Sequence, residues 1–85
     1  MSMKKISVMI VDDEKLVLED LKTLVDWEAL GFEIVATAFN GKQALEKFKT
    51  FLPQVVFTDV RMPFMDGLEL IRKLRETAPE VCIFL

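Results

Sequence analysis

Two short runs of almost unbroken apolar residues, each halted by aspartate, constrain this chain more than any other feature. Ile6-Ser7-Val8-Met9-Ile10-Val11 stops at Asp12-Asp13, and Val55-Val56-Phe57-Thr58 stops at Asp59. A strand with one wet face alternates apolar and polar residues, whereas a short, partly β-branched run of this kind is the pattern of a strand buried on both faces. Both faces of the sheet must then be covered by other elements of the same small chain.

The intervening segments supply them. From Glu14 the period becomes helical, with Val17, Leu21, Leu24 and Val25 turned inward among Lys15, Glu19, Asp20 and Lys22. Gly31 precedes a second strand, Phe32 to Ala38. Asn40 is placed to cap the next helix, with Gln43 reaching back as in a capping box. That helix sets Ala44, Leu45, Phe48 and Leu52 on one side and is barred from continuing by Pro53. A third helix begins near Asp66-Gly67, directs Leu70, Ile71, Leu74 and Ala78 inward and stops before Pro79. Residues 81–85 read as a fourth strand, in which Cys82 is expected to be a buried structural thiol. The order β-α-β-α-β-α-β, with crossovers long enough for parallel pairing and right-handed connections, predicts an α/β fold: a doubly wound parallel sheet in one domain, 1–85. There is no internal repeat, low-complexity tract or linker.

Composition narrows the function. A chain of 85 residues that is 52% hydrophobic and contains seven phenylalanines is too apolar for disorder and long enough for one small core. Its net charge of -3, with no basic block beyond Lys4-Lys5, gives no footprint for nucleic acid, so no direct nucleic-acid contact is expected. The first apolar stretch ends at Asp12, too early for a signal segment or a membrane span. A cytoplasmic protein without membrane contact is expected, and the single cysteine agrees with a reducing compartment.

In a sheet of order 2-1-3-4 the first and third strands are neighbours, and the crevice outside their carboxyl ends is the switch point where ligands bind. Asp12, Asp13 and Asp59 would converge there. Three carboxylates in one place resist ionisation unless a cation compensates, and hard oxygen ligands without His or Cys favour Mg²⁺. A carboxylate beside such a metal can attack a phosphoryl donor, and Asp59, alone at its strand end, is the better nucleophile; adjacent Asp12 and Asp13 suit metal holding. Taken singly, Asp12-Asp13-Glu14 reads as a helix cap and Asp59 as the start of a polar turn. Their joint position after neighbouring strands is what favours the functional reading.

Val11-Asp12-Asp13-Glu14, Thr58-Asp59-Val60-Arg61-Met62-Pro63 and Met65-Asp66-Gly67, in this order and spacing, resemble the receiver domains of two-component response regulators from about Lys5 onward. Asp26 to Val35, followed by Asn40-Gly41, is similar to receivers attached to AraC-type DNA-binding domains. The resemblance implies a flavodoxin-like receiver fold. It also implies that Asp59 is phosphorylated by a sensor histidine kinase, that Asp12 and Asp13 hold Mg²⁺ with Asp59, and that the Arg61 main-chain carbonyl completes the site. Met62, Pro63 and Gly67 would shape the following loop, while Trp27 and Phe32 are packing residues.

A complete receiver continues with a Ser or Thr, a fifth strand ending in Lys and further helices, none of which lies within these residues; nor does the DNA-binding domain expected of the parent. Without a fifth strand the fourth is an apolar edge, so a homodimer or higher assembly is expected of this form. The module is read as a phosphoacceptor that assists its own phosphorylation and dephosphorylation, not as a turnover enzyme. The alternative is a pseudo-receiver acting through protein contacts without phosphate. An aspartate-nucleophile phosphatase would need a D-x-D pattern where this chain has adjacent aspartates, and a flavin phosphate would be repelled by the acidic site.

Overall fold

The computed structural model describes residues 5–59 and 65–84. Strands β1 (Ile6–Val11), β2 (Phe32–Ala38), β3 (Val55–Thr58) and β4 (Cys82–Phe84) alternate with helices α1 (Lys15–Leu24), α2 (Gly41–Phe51) and α3 (Gly67–Thr77). The strands form one parallel sheet in the order β2-β1-β3-β4. This is the doubly wound arrangement expected from the apolar runs, and β1 and β3 begin and end where those runs do.

Side-chain alternation along each strand sorts the core into two layers. Met9, Val11 and Val56 point to the face covered by α2 and α3, where they meet Ala36, Ala38, Ala44, Phe48, Leu70, Leu74 and Val81. Val8, Ile10 and Val55 point to the opposite face, covered by α1 through Leu18, with Leu21, Trp27, Phe32, Ile34 and Phe57 around them. β1 is therefore buried on both sides, which is why its sequence does not alternate. Leu70 and Leu74 have no exposed surface, and at about 2 kcal/mol for each fully buried leucine they anchor α3 to the sheet. A register shift in the β1–β2 pairing, where Val8 faces Ile34 and Met9 faces Ala36, leaves Val35 as the extra residue.

The helix ends follow local chemistry. The Asn40 side chain accepts the Gln43 backbone N–H at 2.7 Å, and the Gln43 side chain accepts the Phe39 N–H at 2.7 Å, a reciprocal cap that reaches one residue further back than a capping box. The Asp66 side chain accepts the Glu69 N–H at 2.9 Å to start α3.

Three expectations about burial are corrected. On α1 it is Leu18 that is buried, while Leu24 is 80% exposed; six residues on, Leu24 stands about 240° further round the helix, off the face that Leu18 turns to the sheet. Leu52 is not on the buried side of α2 but caps it, at φ 47° with its N–H on the Phe48 carbonyl at 2.8 Å, because Pro53 disfavours right-handed helical geometry in the residue before it. Cys82 is exposed. It points to the α1 face from the edge strand, and α1 packs over β1, too far across the sheet to cover it. Val81 precedes β4, and Leu85 lies outside the described residues.

Trp27 and Phe32 pack as expected. The indole meets the Phe32 ring edge-on at 6.1 Å and the Phe57 ring at 5.7 Å, and its N–H donates to the Leu21 carbonyl at 2.7 Å. Phe57 in turn stacks on Phe84 at 5.2 Å. A row of rings thus runs across the α1 face from β2 to the β4 edge.

Candidate functional site

The two aspartate-bearing segments are aligned by the sheet itself. Val11 of β1 pairs with Thr58 of β3, so the residues after them leave the sheet side by side. The Asp12 N–H donates to the Ala38 carbonyl at 3.0 Å and the Asp59 N–H to the Val11 carbonyl at 3.0 Å. Each is one further rung of its ladder. The backbones of Asp12 and Asp59 are thereby held while their side chains extend past the carboxyl ends of the strands. Asp12 also accepts the Glu14 N–H at 2.9 Å, which folds the chain back into α1.

Asp12, Asp13 and Asp59 each bring one carboxylate oxygen to within 4.8 Å of the others. Asp12 and Asp59 are half-buried and Asp13 is exposed. Two ionised carboxylates at this range repel by roughly 3 kcal/mol at an effective dielectric constant of about 20. Burial pushes the Asp12 carboxyl above the ordinary carboxylate range, and the neighbouring charges of Asp59 and Asp13 push the same way against the stabilising Glu14 N–H. Either a proton or a cation relieves such a cluster. All its donors are hard oxygens, without sulfur or imidazole, so Mg²⁺ fits the set better than a thiophilic metal.

The sequence located these three side chains but not the rest of the site. A cleft of about 240 Å³ lies beside them, lined by Asp12, Thr58 and Asp59 together with Ile10, Leu21, Phe57 and Phe84. Thr58 is buried and its hydroxyl donates to the Asp59 carbonyl at 3.1 Å. The one available signal was that a polar residue closes an otherwise apolar strand. The apolar wall had none, because Phe57 and Phe84 read equally well as core. Gly67 is the buried first residue of α3, while Arg61, Met62 and Pro63 lie outside the described residues.

Fold and site together define a class: an open parallel α/β sheet carrying a carboxylate cluster at its switch point. The response regulator receiver domain family model matches residues 8–85, and the chain belongs to that family. It is 42% identical over 74 residues to the transcriptional regulatory protein YesN of Bacillus subtilis, an alignment covering 87% of this chain and 20% of YesN. Its fold matches the receiver domain of AraT, a response regulator from Geobacillus stearothermophilus, with a TM-score of 0.85 and 37% identity over 95% of this chain and 62% of that one. The CheY fold in a CheX–CheY–BeF3–Mg²⁺ complex from Borrelia burgdorferi is similar at a TM-score of 0.81 and 29% identity, covering 92% of this chain and 58% of that chain. The chain thus spans about a fifth of YesN and under two thirds of these solved chains. No helix among the described residues is long and apolar enough to cross a membrane.

The raised Asp12 pKa fixes a sign. In the metal-free protein the carboxyl holds its proton more tightly when folded than when unfolded. Its contribution to stability is therefore fully present below the unfolded pKa and lost as pH rises through the higher folded value. At neutral pH Asp12→Asn, which keeps an acceptor for the Glu14 N–H, is expected to raise the thermal midpoint in the presence of EDTA. The gain should shrink toward zero below the ordinary carboxylate range, as read by circular dichroism melts from acid to neutral pH.

Proposed function

We propose that this chain is the phosphoacceptor receiver module of a two-component response regulator, in which Asp59 takes a phosphoryl group from a sensor histidine kinase and so controls a transcription-regulating output domain of the parent protein. The observation that carries this reading is the convergence of Asp12, Asp13 and Asp59 within 4.8 Å at the ends of two adjacent parallel strands. Family membership supports it, as do the regulatory names of YesN and AraT. The module accepts and loses phosphate without turning over a separate substrate, and cytoplasmic residence follows from the proposed kinase partner.

In the proposed transfer, a carboxylate oxygen of Asp59 attacks the phosphorus of a phosphohistidine. A P–O bond forms as the P–N bond breaks, and that electron pair returns to the imidazole nitrogen. The product is an acyl phosphate on Asp59, later released by water. Asp12, Asp13, Asp59 and the main-chain carbonyl of Arg61 would hold Mg²⁺, which offsets charge on the phosphoryl oxygens. The Borrelia CheY complex, which pairs Mg²⁺ with BeF3, supports that assignment by analogy. The half-buried setting of Asp59, pinned through its backbone, limits the reorganisation needed for in-line attack.

Trp27 supplies a probe, because its ring touches Phe57, which lines the cleft beside Asp59. Titration with Mg²⁺ is expected to change Trp27 fluorescence saturably, and Asp13→Asn and Asp59→Asn to abolish the change. An unresponsive signal together with no binding heat in calorimetry would favour a phosphate-independent pseudo-receiver.

The same reading extends to assembly. β4 forms the sheet edge, and Cys82 and Phe84 are exposed along it, so we propose that this 85-residue form self-associates as a dimer or higher assembly. Light scattering after size exclusion should give at least twice the chain mass; a monomer at all concentrations would refute it.

A further inference from the structure

We infer that Thr58 is a positioning residue for Asp59: its hydroxyl holds the Asp59 carbonyl and so sets the direction in which the reactive carboxylate leaves the strand. This rests on the proposed phosphoacceptor role of Asp59. Thr58 is 4% exposed and is the one buried polar side chain among the described residues. Its hydroxyl donates to the Asp59 carbonyl at 3.1 Å. On the other side of the same residue, the Asp59 N–H donates to the Val11 carbonyl at 3.0 Å. Both backbone polar groups of Asp59 are therefore held, one by β1 and one by the preceding side chain. The backbone has only two soft dihedrals per residue, so tying the amide and the carbonyl restrains both. The Cα–Cβ bond that carries the carboxylate is fixed with them.

Packing does not account for the hydroxyl. Thr58 closes a strand whose other residues are Val55, Val56 and Phe57, and valine would have nearly the same shape and an equal place in a strand. Where valine would bury a methyl group, threonine buries a polar oxygen, which is destabilising unless that oxygen is hydrogen-bonded. The pairing of β3 with β1, in which Thr58 faces Val11, is made by backbone groups and does not need it. Among the described residues the hydroxyl bonds to the Asp59 carbonyl, and so acts on the residue the site depends on. The contact also lies at the site: Thr58 and Asp59 both line the cleft, and Asp59 brings an oxygen within 4.8 Å of Asp12 and Asp13. Attack on phosphorus demands alignment, and a misplacement of about 1 Å typically slows such a step about 100-fold. Losing one of two backbone ties should have a smaller effect, of about 10-fold.

The test follows the rate at which phosphoramidate, whose P–N bond matches that of the proposed donor, phosphorylates Asp59 with release of ammonia at saturating Mg²⁺, read by intact-mass spectrometry. The unmodified chain is compared with Thr58→Val, which keeps the shape and loses the hydroxyl, and with Thr58→Ser, which keeps the hydroxyl and loses the methyl group. A thermal melt shows that each is folded at the assay temperature. We expect Thr58→Val to react about 10-fold more slowly and Thr58→Ser to react at close to the unmodified rate. A role in packing alone gives the reverse order. An unmodified rate in Thr58→Val, or an equal loss in both variants, overturns the inference. If Thr58→Val does not fold, Thr58→Ala is set against Thr58→Ser: slower reaction of the alanine variant supports the inference, and equal rates overturn it. An unmodified chain that stays unlabelled defeats the phosphoacceptor reading itself, and the inference with it.

Discussion

The parallel pairing of β1 with β3 is the interaction on which the rest of the molecule depends. With Val11 opposite Thr58, the two strands reach the edge of the sheet together, and their next residues, Asp12 and Asp59, emerge side by side with their amides still on the ladder. A slip of one residue would turn Met9 and Val11 out of the α2–α3 layer and send Val8 and Ile10 into it, exchanging both cores at once. The burial that fixes the fold thus also fixes the separation of the carboxylates. The charge repulsion within the cluster is sustained by packing several residues away.

The two faces of the sheet are unequally covered, and this asymmetry shapes the site. α2 and α3 together close one face over Phe48, Leu70 and Leu74. On the other, α1 lies over β1, and a row of aromatic rings from Phe32 through Trp27 and Phe57 to Phe84 completes the layer. Phe84, half exposed at the edge strand, also forms part of the wall of the cleft beside Asp59. An apolar wall next to a charged site lowers the local dielectric, which strengthens both the repulsion among the aspartates and their attraction to a cation. The upward shift of Asp12, caused first by burial, has the same origin.

Much of this was legible because burial on two faces leaves an unmistakable residue pattern. Ile6–Val11 and Val55–Thr58 announce their limits by the abrupt change to aspartate, and the caps at Asn40 and Asp66 announce theirs by side-chain chemistry that acts over three residues. What escaped was set by distant geometry. Whether Leu18 or Leu24 is buried depends on which face of α1 turns to the sheet, and helical spacing alone admits either. Cys82 reads as core within Val81-Cys82-Ile83-Phe84, yet it is exposed because its strand forms the edge, a fact carried by topology and not by local sequence. The three carboxylates were found because each apolar run stops at them and the order 2-1-3-4 makes their strands neighbours; connectivity alone also admits an order in which β1 and β3 are apart, and the sheet has the former.

The central claim, that these packed strands create a phosphoacceptor at Asp59, is tested most directly by incubating the chain with a small phosphoryl donor, with Mg²⁺ or with EDTA. Intact-mass spectrometry would count phosphoryl groups, and borohydride reduction followed by peptide mapping would locate the acyl phosphate. The account predicts one phosphoryl group, formed only with Mg²⁺, mapped to Asp59 and absent from Asp59→Asn. Modification at another carboxylate, or equal labelling of the Asp59→Asn variant, would contradict it.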